Sequence, residues 1–316
     1  MQPPKMKSCM ALLALCLAGV GAFGATADSA RSGNWIVKHS DVPGKIDFAL
    51  TESHRGSYSN HESDWPLSAF QGLDISKTGR QEVRFTIVRD AGKFACEGFL
   101  DNGEGAGLFH FYPDAKYPAA MQALGFSGID QGKQFSMALQ DVSLAFAKEM
   151  QSQHLQGLDT DKLIAFRIFG VNSGFIQELR AAGLKATDSD KLVAFRIHGV
   201  TPEMVRYLQR AGYTPDDDEL IAMRIHGVTP EWMEQLKKEG YDRVPLDELI
   251  AFRIHGVSPE FIDKLHSLGY PHPDPDQLIA MRIHGVTPEF ISNLRSRGMQ
   301  NLTIDQLVAM KIHGID

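Results

Sequence analysis

The sequence predicts an α+β protein of two domains: a small antiparallel β-sheet domain over 28–132 and, over 133–316, an α-solenoid of 29-residue two-helix repeats. Three observations predict it. The motif I-H-G-V or its near equivalent recurs with Gly170, Gly199, Gly227, Gly256, Gly285 and Gly314, at spacings of 29, 28, 29, 29 and 29. Self-similarity at such a period marks a repeat architecture. Ahead of it, short runs of alternating character replace the helical pattern, as strands require. Ahead of those, Lys5 and Lys7, an apolar run from Met10 to Phe23, and the small residues Ala25 and Ala27 before Asp28 make a secretory signal peptide over 1–27.

The apolar run of the leader is shorter than the roughly 20 residues that span a bilayer, and no later segment reaches that length without charges. The exported chain is therefore expected to be soluble, periplasmic or secreted, with no stable membrane insertion after cleavage. Cys16 follows Leu15 where a lipid anchor would need a small residue. Cleavage removes Cys9 and Cys16 and leaves Cys96, so no disulfide is expected; between Phe94 and Gly98, Cys96 reads as a small buried apolar side chain. The net charge of −7 argues against nucleic acid, which demands a clustered surplus of Lys and Arg.

In the β domain five strands are expected, at 35–38, 46–50, 83–88, 93–99 and 107–112, with turns at Asp90-Ala91-Gly92 and Asp101-Asn102-Gly103. Phe94, Cys96 and Gly98 share one face of the fourth. In the fifth, Leu108, His110 and Tyr112 alternate with Phe109 and Phe111, and aromatics on both faces predict a sheet covered on each side. The segment 119–124 is expected to supply a covering helix. Gly103, Gly105 and Gly107 lead into a strand and so make no nucleotide loop.

Each repeat carries start and stop signals for two short helices. In the unit from Asp216, Asp216 and Glu219 stand as in a capping box, and Thr303 and Gln306 repeat the arrangement in the last unit. Helix A then runs to Gly227, which suits a left-handed C′ position, as do Gly199, Gly256 and Gly285. Helix B starts at Thr229 as N-cap with Pro230 at N1, and Val228 can staple to Met233. It ends at Gly240, with Tyr241 packing back on Leu236; Gly212, Gly269 and Gly298 hold the same place elsewhere. A faded copy at 142–150 starts the array near 133. Helices of about ten residues are marginal alone, so stacking supplies the stability. Helix A, apolar almost all round, is expected inside, with helix B carrying the outer polar face. The chain's last helix A is expected to act as a cap.

Two ladders stand out. His198, His226, His255, His284 and His313 recur in register. Neighbouring helices pack roughly 8–10 Å apart, too far for imidazoles that must each lie about 2 Å from one zinc, so no metal site is read here. Their expected role is as C-caps of helix A, a ring N–H satisfying a free carbonyl. Arg167, Arg196, Arg224, Arg253, Arg282 and Lys311 lie two residues earlier, and could pair with Glu203, Glu231, Glu260 and Glu289 or with helix-A caps of a neighbouring unit. The bihelical unit is similar to helix-hairpin-helix DNA-binding modules, but the glutamate and proline of G-V-T-P-E disfavour phosphate.

Catalytic templates fail along the whole chain. His61-Glu62 lacks the second histidine of H-E-x-x-H, no G-x-S-x-G elbow exists, and Cys96 has no partner base. No catalytic residue and no cofactor is expected.

The repeats L-I-A-F-R-I-H-G-V-S-P-E-F-I, with F-T-I-V-R-D-A-G-K-F-A-C-E-G and G-A-G-L-F-H-F-Y-P-D before them, resemble the C-terminal extracytoplasmic region of BlaR/MecR-type antirepressor membrane metallopeptidases of Gram-negative bacteria. The resemblance covers nearly the whole mature chain. In that family the peptidase is a separate membrane domain bearing H-E-x-x-H, absent here, and the β domain carries no S-x-x-K acylation motif. The resemblance thus implies a sensing or interaction region without the protease. The function expected is an exported, non-catalytic interaction protein whose array is a scaffold that binds another protein, in envelope sensing or regulation. Two rivals are a ligand-sensing β domain with the solenoid as signalling arm, and a hydrolase whose site forms only in three dimensions.

The exported form is expected to begin at Asp28, and intact-mass measurement of the secreted protein checks this. A mature species that retains Cys16 would contradict the leader assignment.

Overall fold

The computed structural model describes residues 31–54 and 57–315; the leader expected at 1–27 lies outside them. The chain divides into two compact units. One comprises the residues up to Ile87 with Phe94–Tyr112, the other Val88–Lys93 with everything from Pro113 onward.

The first unit is a seven-stranded sheet: β1 Arg31–His39, β2 Lys45–His54, β3 Ser57–Pro66, β4 Phe70–Gln71, β5 Arg80–Arg89, β6 Gly92–Asp101 and β7 Glu104–Pro113. The order is β3-β2-β1-β7-β6-β5-β4, a meander whose first strand also pairs with its last. Antiparallel pairing sets Trp35 opposite Leu50 on β2 and Gly107 on β7. The sheet curls until it is nearly closed, with its gap between β3 and β4. Although three strands separate β2 from β5, the Phe48 and Phe85 rings lie 6.3 Å apart, and Phe48 stands 5.0 Å from Phe70 of β4, both edge to face.

One face fills the interior and the other meets water. Trp35, Phe48, Phe85, Phe94, Phe109 and Phe111 are buried, whereas Val88, Phe99 and Leu108 are about half exposed. The expected cover on both faces is therefore wrong: in β7, Phe109 and Phe111 turn inward and Leu108 outward, and curling buries the inner face without a second layer. Gly98 makes this possible, because a Cβ there would sit 2.7 Å from the Trp35 ring, whose Nε1 donates to the Glu97 carbonyl at 3.1 Å. Cys96 is buried among the rings, and burial pushes its thiol well above the usual range. Strands β3 and β4 escaped the sequence reading. The polar run S-Y-S-N-H-E-S-D has no apolar alternation, and β4 is only two residues long.

The second unit is helical. After α1 Tyr117–Ala123 come six helix pairs and a final helix: α2 Gln131–Leu139 and α3 Leu144–Gln151, α4 Thr160–Phe169 and α5 Ser173–Ala181, α6 Ser189–His198 and α7 Pro202–Arg210, α8 Asp217–His226 and α9 Pro230–Lys238, α10 Leu246–His255 and α11 Pro259–Ser267, α12 Pro275–Ile283 and α13 Pro288–Ser296, then α14 Ile304–Ile312. Even-numbered helices from α4 to α14 pack side by side as one layer of helices A. Odd-numbered helices are the helices B, with α1 against α3, α5 against α7 and α11 against α13. The helical unit thus begins before the expected boundary at 132, and the helix expected at 119–124 belongs to it. The Tyr117 hydroxyl donates to the Val142 carbonyl at 2.7 Å, and Met121 is fully buried. The turn 88–93 is part of the same unit: the Asp90 carboxylate accepts from the Leu144 N–H at 2.8 Å, and Gln134 donates to the Ala91 and Asp114 carbonyls at 2.7 Å each.

Capping ends each helix locally. Asp216 accepts from the Glu219 N–H while Glu219 returns to the Asp216 N–H, and Asp274 with Gln277 and Thr303 with Gln306 form the same box. Thr201, Thr229, Ser258 and Thr287 cap helices B, each followed by Pro at N1. Gly199, Gly227, Gly256 and Gly285 have φ of 72–76°, and Gly212, Gly240, Gly269 and Gly298 have φ of 79–93°. In the faded first pair Asp141 at φ 52° and His154 at φ 55° occupy those two places. Asp141 is held there by Arg89 at 3.4 Å and Arg167 at 3.1 Å.

The arginine ladder clamps one repeat to the one before it. Nε of Arg224, Arg253 and Arg282 donates to the carbonyl of His198, His226 and His255 at 3.2, 3.1 and 3.3 Å. Arg167 reaches the Gln140 carbonyl in the same way at 2.9 Å. Each such carbonyl is an orphan of a helix C-terminus. Three of these guanidiniums also lie over an aromatic ring of the preceding helix B, Arg167 over Phe146 at 5.2 Å, Arg253 over Trp232 at 5.2 Å and Arg282 over Phe261 at 5.0 Å, and Arg196 lies over Phe175 at 3.8 Å. Lys311 lies over Phe290 at 4.2 Å. Of the two pairings open to these cations, the structure takes the neighbouring cap. Glu231 and Glu289 are instead held below the usual carboxylate range chiefly by first-turn N–H groups, and Glu260 chiefly by the Ser258 hydroxyl.

Gly227 is required twice over. A Cβ there would meet Arg253 Nη2 at 2.8 Å, in a backbone conformation that L side chains rarely adopt. Gly227→Val is expected to destabilise by at least the 1–3 kcal/mol of left-handed strain, roughly, and to displace the clamp as well. Arg253→Ala is expected to cost on the order of 1–3 kcal/mol through the lost hydrogen bond and ring contact. Denaturant melts of the two single variants and the double one check both. The double is expected to cost less than the sum, because both changes break one contact.

Candidate interaction surface

Helix A does not lie wholly inside. Leu192 and Phe195 in α6, like Leu249 and Phe252 in α10, are fully buried, but each helix A turns its last isoleucine to solvent. Ile168, Ile197, Ile225, Ile254, Ile283 and Ile312 are 52–57% exposed, six in a row at one per repeat. The reason is the layer geometry: helix A is covered by its two A neighbours and by helices B, and its fourth side is left to water. Ile250-Ala251 and Ile279-Ala280, one turn earlier on that side, are half-buried and continue each isoleucine into an apolar band. Apolar surface this regular exceeds the scattered single residues of an ordinary exterior.

Rows of other chemistry border the band. At the N-terminal end of helices A, the second residue is aspartate six times running, Asp161, Asp190, Asp218, Asp247, Asp276 and Asp305, all exposed. The first three are ion-paired to the residue after that position in the preceding helix, Lys133 to Asp161 at 3.0 Å, Lys162 to Asp190 and Lys191 to Asp218. At the C-terminal end stand the histidines. Among the described residues no ring nitrogen of His198, His226, His255, His284 or His313 makes a hydrogen bond; their backbone carbonyls, not their imidazoles, are what the clamps use. The expected ring-to-carbonyl cap is thus replaced by the arginine of the next repeat, whose longer side chain reaches the orphan carbonyl across the interface.

Among the described residues no group of three or more His, Cys, Asp or Glu is placed to hold a metal ion, and no helix is long and apolar enough to cross a membrane. His61-Glu62 falls on β3, opposite Leu50 and Ala49, on a strand and not on the helix that H-E-x-x-H requires. The isoleucine row was missed in the sequence because I-A-[FM]-R-I-H reads as core throughout; the signal that separates Ile225 from Met223 is only their two-residue offset around the helix. No family model matches the chain, and no curated protein is significantly similar to it.

His226→Gln is expected to shift the stability by less than about 1 kcal/mol, since the imidazole holds no partner and the carbonyl that Arg253 uses survives the change. Denaturant melts check it. Unfolding of the array by this change would show that the rings carry a structural or binding role.

Proposed function

We propose that the protein is an exported, non-catalytic interaction protein, periplasmic or secreted, whose helical array is a scaffold that binds another protein through the exposed face of helices A. The observation that carries this reading is the row of six isoleucines, each more than half exposed, at one per repeat over six successive helices. A repeat array makes an extended surface of this kind from neighbour contacts alone, and residues that neither clamp nor cap are free to differ for binding. The filled interior of the sheet supports the scaffold over a ligand-sensing β domain, because Trp35, Phe48, Phe85 and Phe109 occupy the space a small molecule would need. The buried Cys96 thiol, raised by its burial, supports a chain without a hydrolytic nucleophile there. The resemblance to the extracytoplasmic part of BlaR/MecR-type proteins fits a role in envelope sensing or regulation, detached from any peptidase.

The test is capture from periplasmic extract by the full exported chain, run beside the triple variant Ile225→Gln, Ile254→Gln, Ile283→Gln. The variant is expected to fold, because all three side chains are exposed, and to lose the proteins that the parent retains. Equal retention by both would remove the isoleucine row from the binding surface.

A further inference from the structure

The pairing that neutralises the aspartate row stops halfway along the array. The residue after each aspartate position is Lys133, Lys162 and Lys191 in α2, α4 and α6, but Glu219 and Glu248 in α8 and α10, and Gln277 and Gln306 in α12 and α14. Among the described residues Asp247, Asp276 and Asp305 therefore have no ion pair. Glu248 stands among them with Oε2 buried and without a hydrogen-bond partner, its carboxyl pushed up by burial and by the charges of Asp276, Asp247 and Asp274. The apolar band runs unchanged through both halves, with Ile254 and Ile283 as exposed as Ile168 and Ile197. Only the C-terminal half joins it to unneutralised negative charge.

The geometry points to a cationic amphipathic helix as the occupant of this face, lying across α8, α10, α12 and α14 with its apolar side on the isoleucines and its Lys or Arg residues along the aspartates. This deepens the scaffold reading and rests on it. The spacing favours a helix over a strand. Helices A packed roughly 8–10 Å apart repeat their isoleucines at that interval, and side chains seven apart on a helix rise about 10.5 Å. A strand covers that distance in about three residues, which turns successive matching side chains to opposite faces. Helix-on-apolar-surface docking reads such anchors one per turn pair, and opposite charge along one edge selects the partner and its direction. A second copy of this chain is a poorer occupant, because its own edge carries the same aspartates.

The probes are two labelled model peptides of about 20 residues, roughly 30 Å as helices, built of leucine on one face and either lysine or glutamate on the other. Binding to the full exported chain is followed by fluorescence anisotropy. The leucine–lysine peptide is expected to bind at least about tenfold tighter than the leucine–glutamate one, a preference that shrinks as salt rises. Ile254→Gln with Ile283→Gln is expected to weaken it about tenfold or more, and Asp247→Asn with Asp276→Asn several-fold with most of the salt dependence lost. Ile168→Gln with Ile197→Gln and Asp161→Asn are expected to change little. Equal binding of the two peptides, still lost with Ile254 and Ile283, overturns the cationic partner and leaves the scaffold reading standing. Binding indifferent to every isoleucine overturns the proposed face, while the capture experiment judges the scaffold on its own. Self-association of the parent that Ile254→Gln with Ile283→Gln abolishes assigns the face to a second copy and overturns the proposal.

Discussion

The helical array depends on the contacts that a cation of each helix A makes with the repeat before it. At Arg253 and Arg282 a guanidinium donates to the last carbonyl of the previous helix A, lies against a glycine that has no Cβ, and covers a ring of the previous helix B, and the other junctions keep one or two of these parts. Each part explains a residue type in the repeat. The carbonyl is free because a helix C-terminus leaves its last acceptors unpaired. The glycine must take a left-handed φ and must also leave room, since a Cβ at Gly199, Gly227 or Gly256 would come within 2.8–3.0 Å of the arginine. A lysine would give up the planar fork that meets carbonyl and ring together. Two junctions are looser: a Cβ at Gly170 or at Gly285 would have nothing within 4 Å, and the helix A that follows carries Arg196 in the first case and Lys311 in the second.

Local signals were legible and distant ones were not. Caps and C′ glycines act within four or five residues of themselves, so Asp216 with Glu219, Thr229 with Pro230, and Gly227 announce helix ends in the sequence alone. The partner of Arg253 lies 27 residues away at the His226 carbonyl, and the sequence leaves it undecided between that and a glutamate. Apolar character has the same ambiguity. Met223 is fully buried and Ile225 is 56% exposed, yet both belong to one apolar run, because only the arrangement of neighbouring helices decides which side is covered. In the sheet, Phe109 and Leu108 pose the same problem: alternation shows that two faces exist, and the curl that buries one of them is set by pairing between β1 and β7, the two ends of the meander.

One position in the repeat, the third residue of helix A, serves two competing ends. Lysine there pairs with the aspartate of the next repeat, which ties the units together but leaves the N-cap to work singly, as Asp159 and Asp188 do. Glu219, Gln277 and Gln306 there turn back to close a capping box, whereas Glu248, behind Pro245 at the N-cap, closes none. Exposed ion pairs contribute little, typically below about 1 kcal/mol, and an added capping contact is of the same order. The exchange is therefore nearly neutral for folding while it decides the charge of the surface. Sequence variation at this position can change the surface charge without endangering the stack.

The identity of the exposed side chains follows from the same separation of roles. Isoleucine on a helix is almost confined to one χ1 rotamer, so it has little side-chain freedom even where it is exposed. Leucine, more adaptable at the same size, fills the buried places at Leu163, Leu192, Leu220, Leu249, Leu278 and Leu307. Two apolar rows on the same helices thus differ in kind: a leucine row that is buried, and an isoleucine row that is exposed and stiffened by its own branching. The spacing of the isoleucines is set within the array itself, because the contacts that fix the repeats also fix the interval between successive helices A.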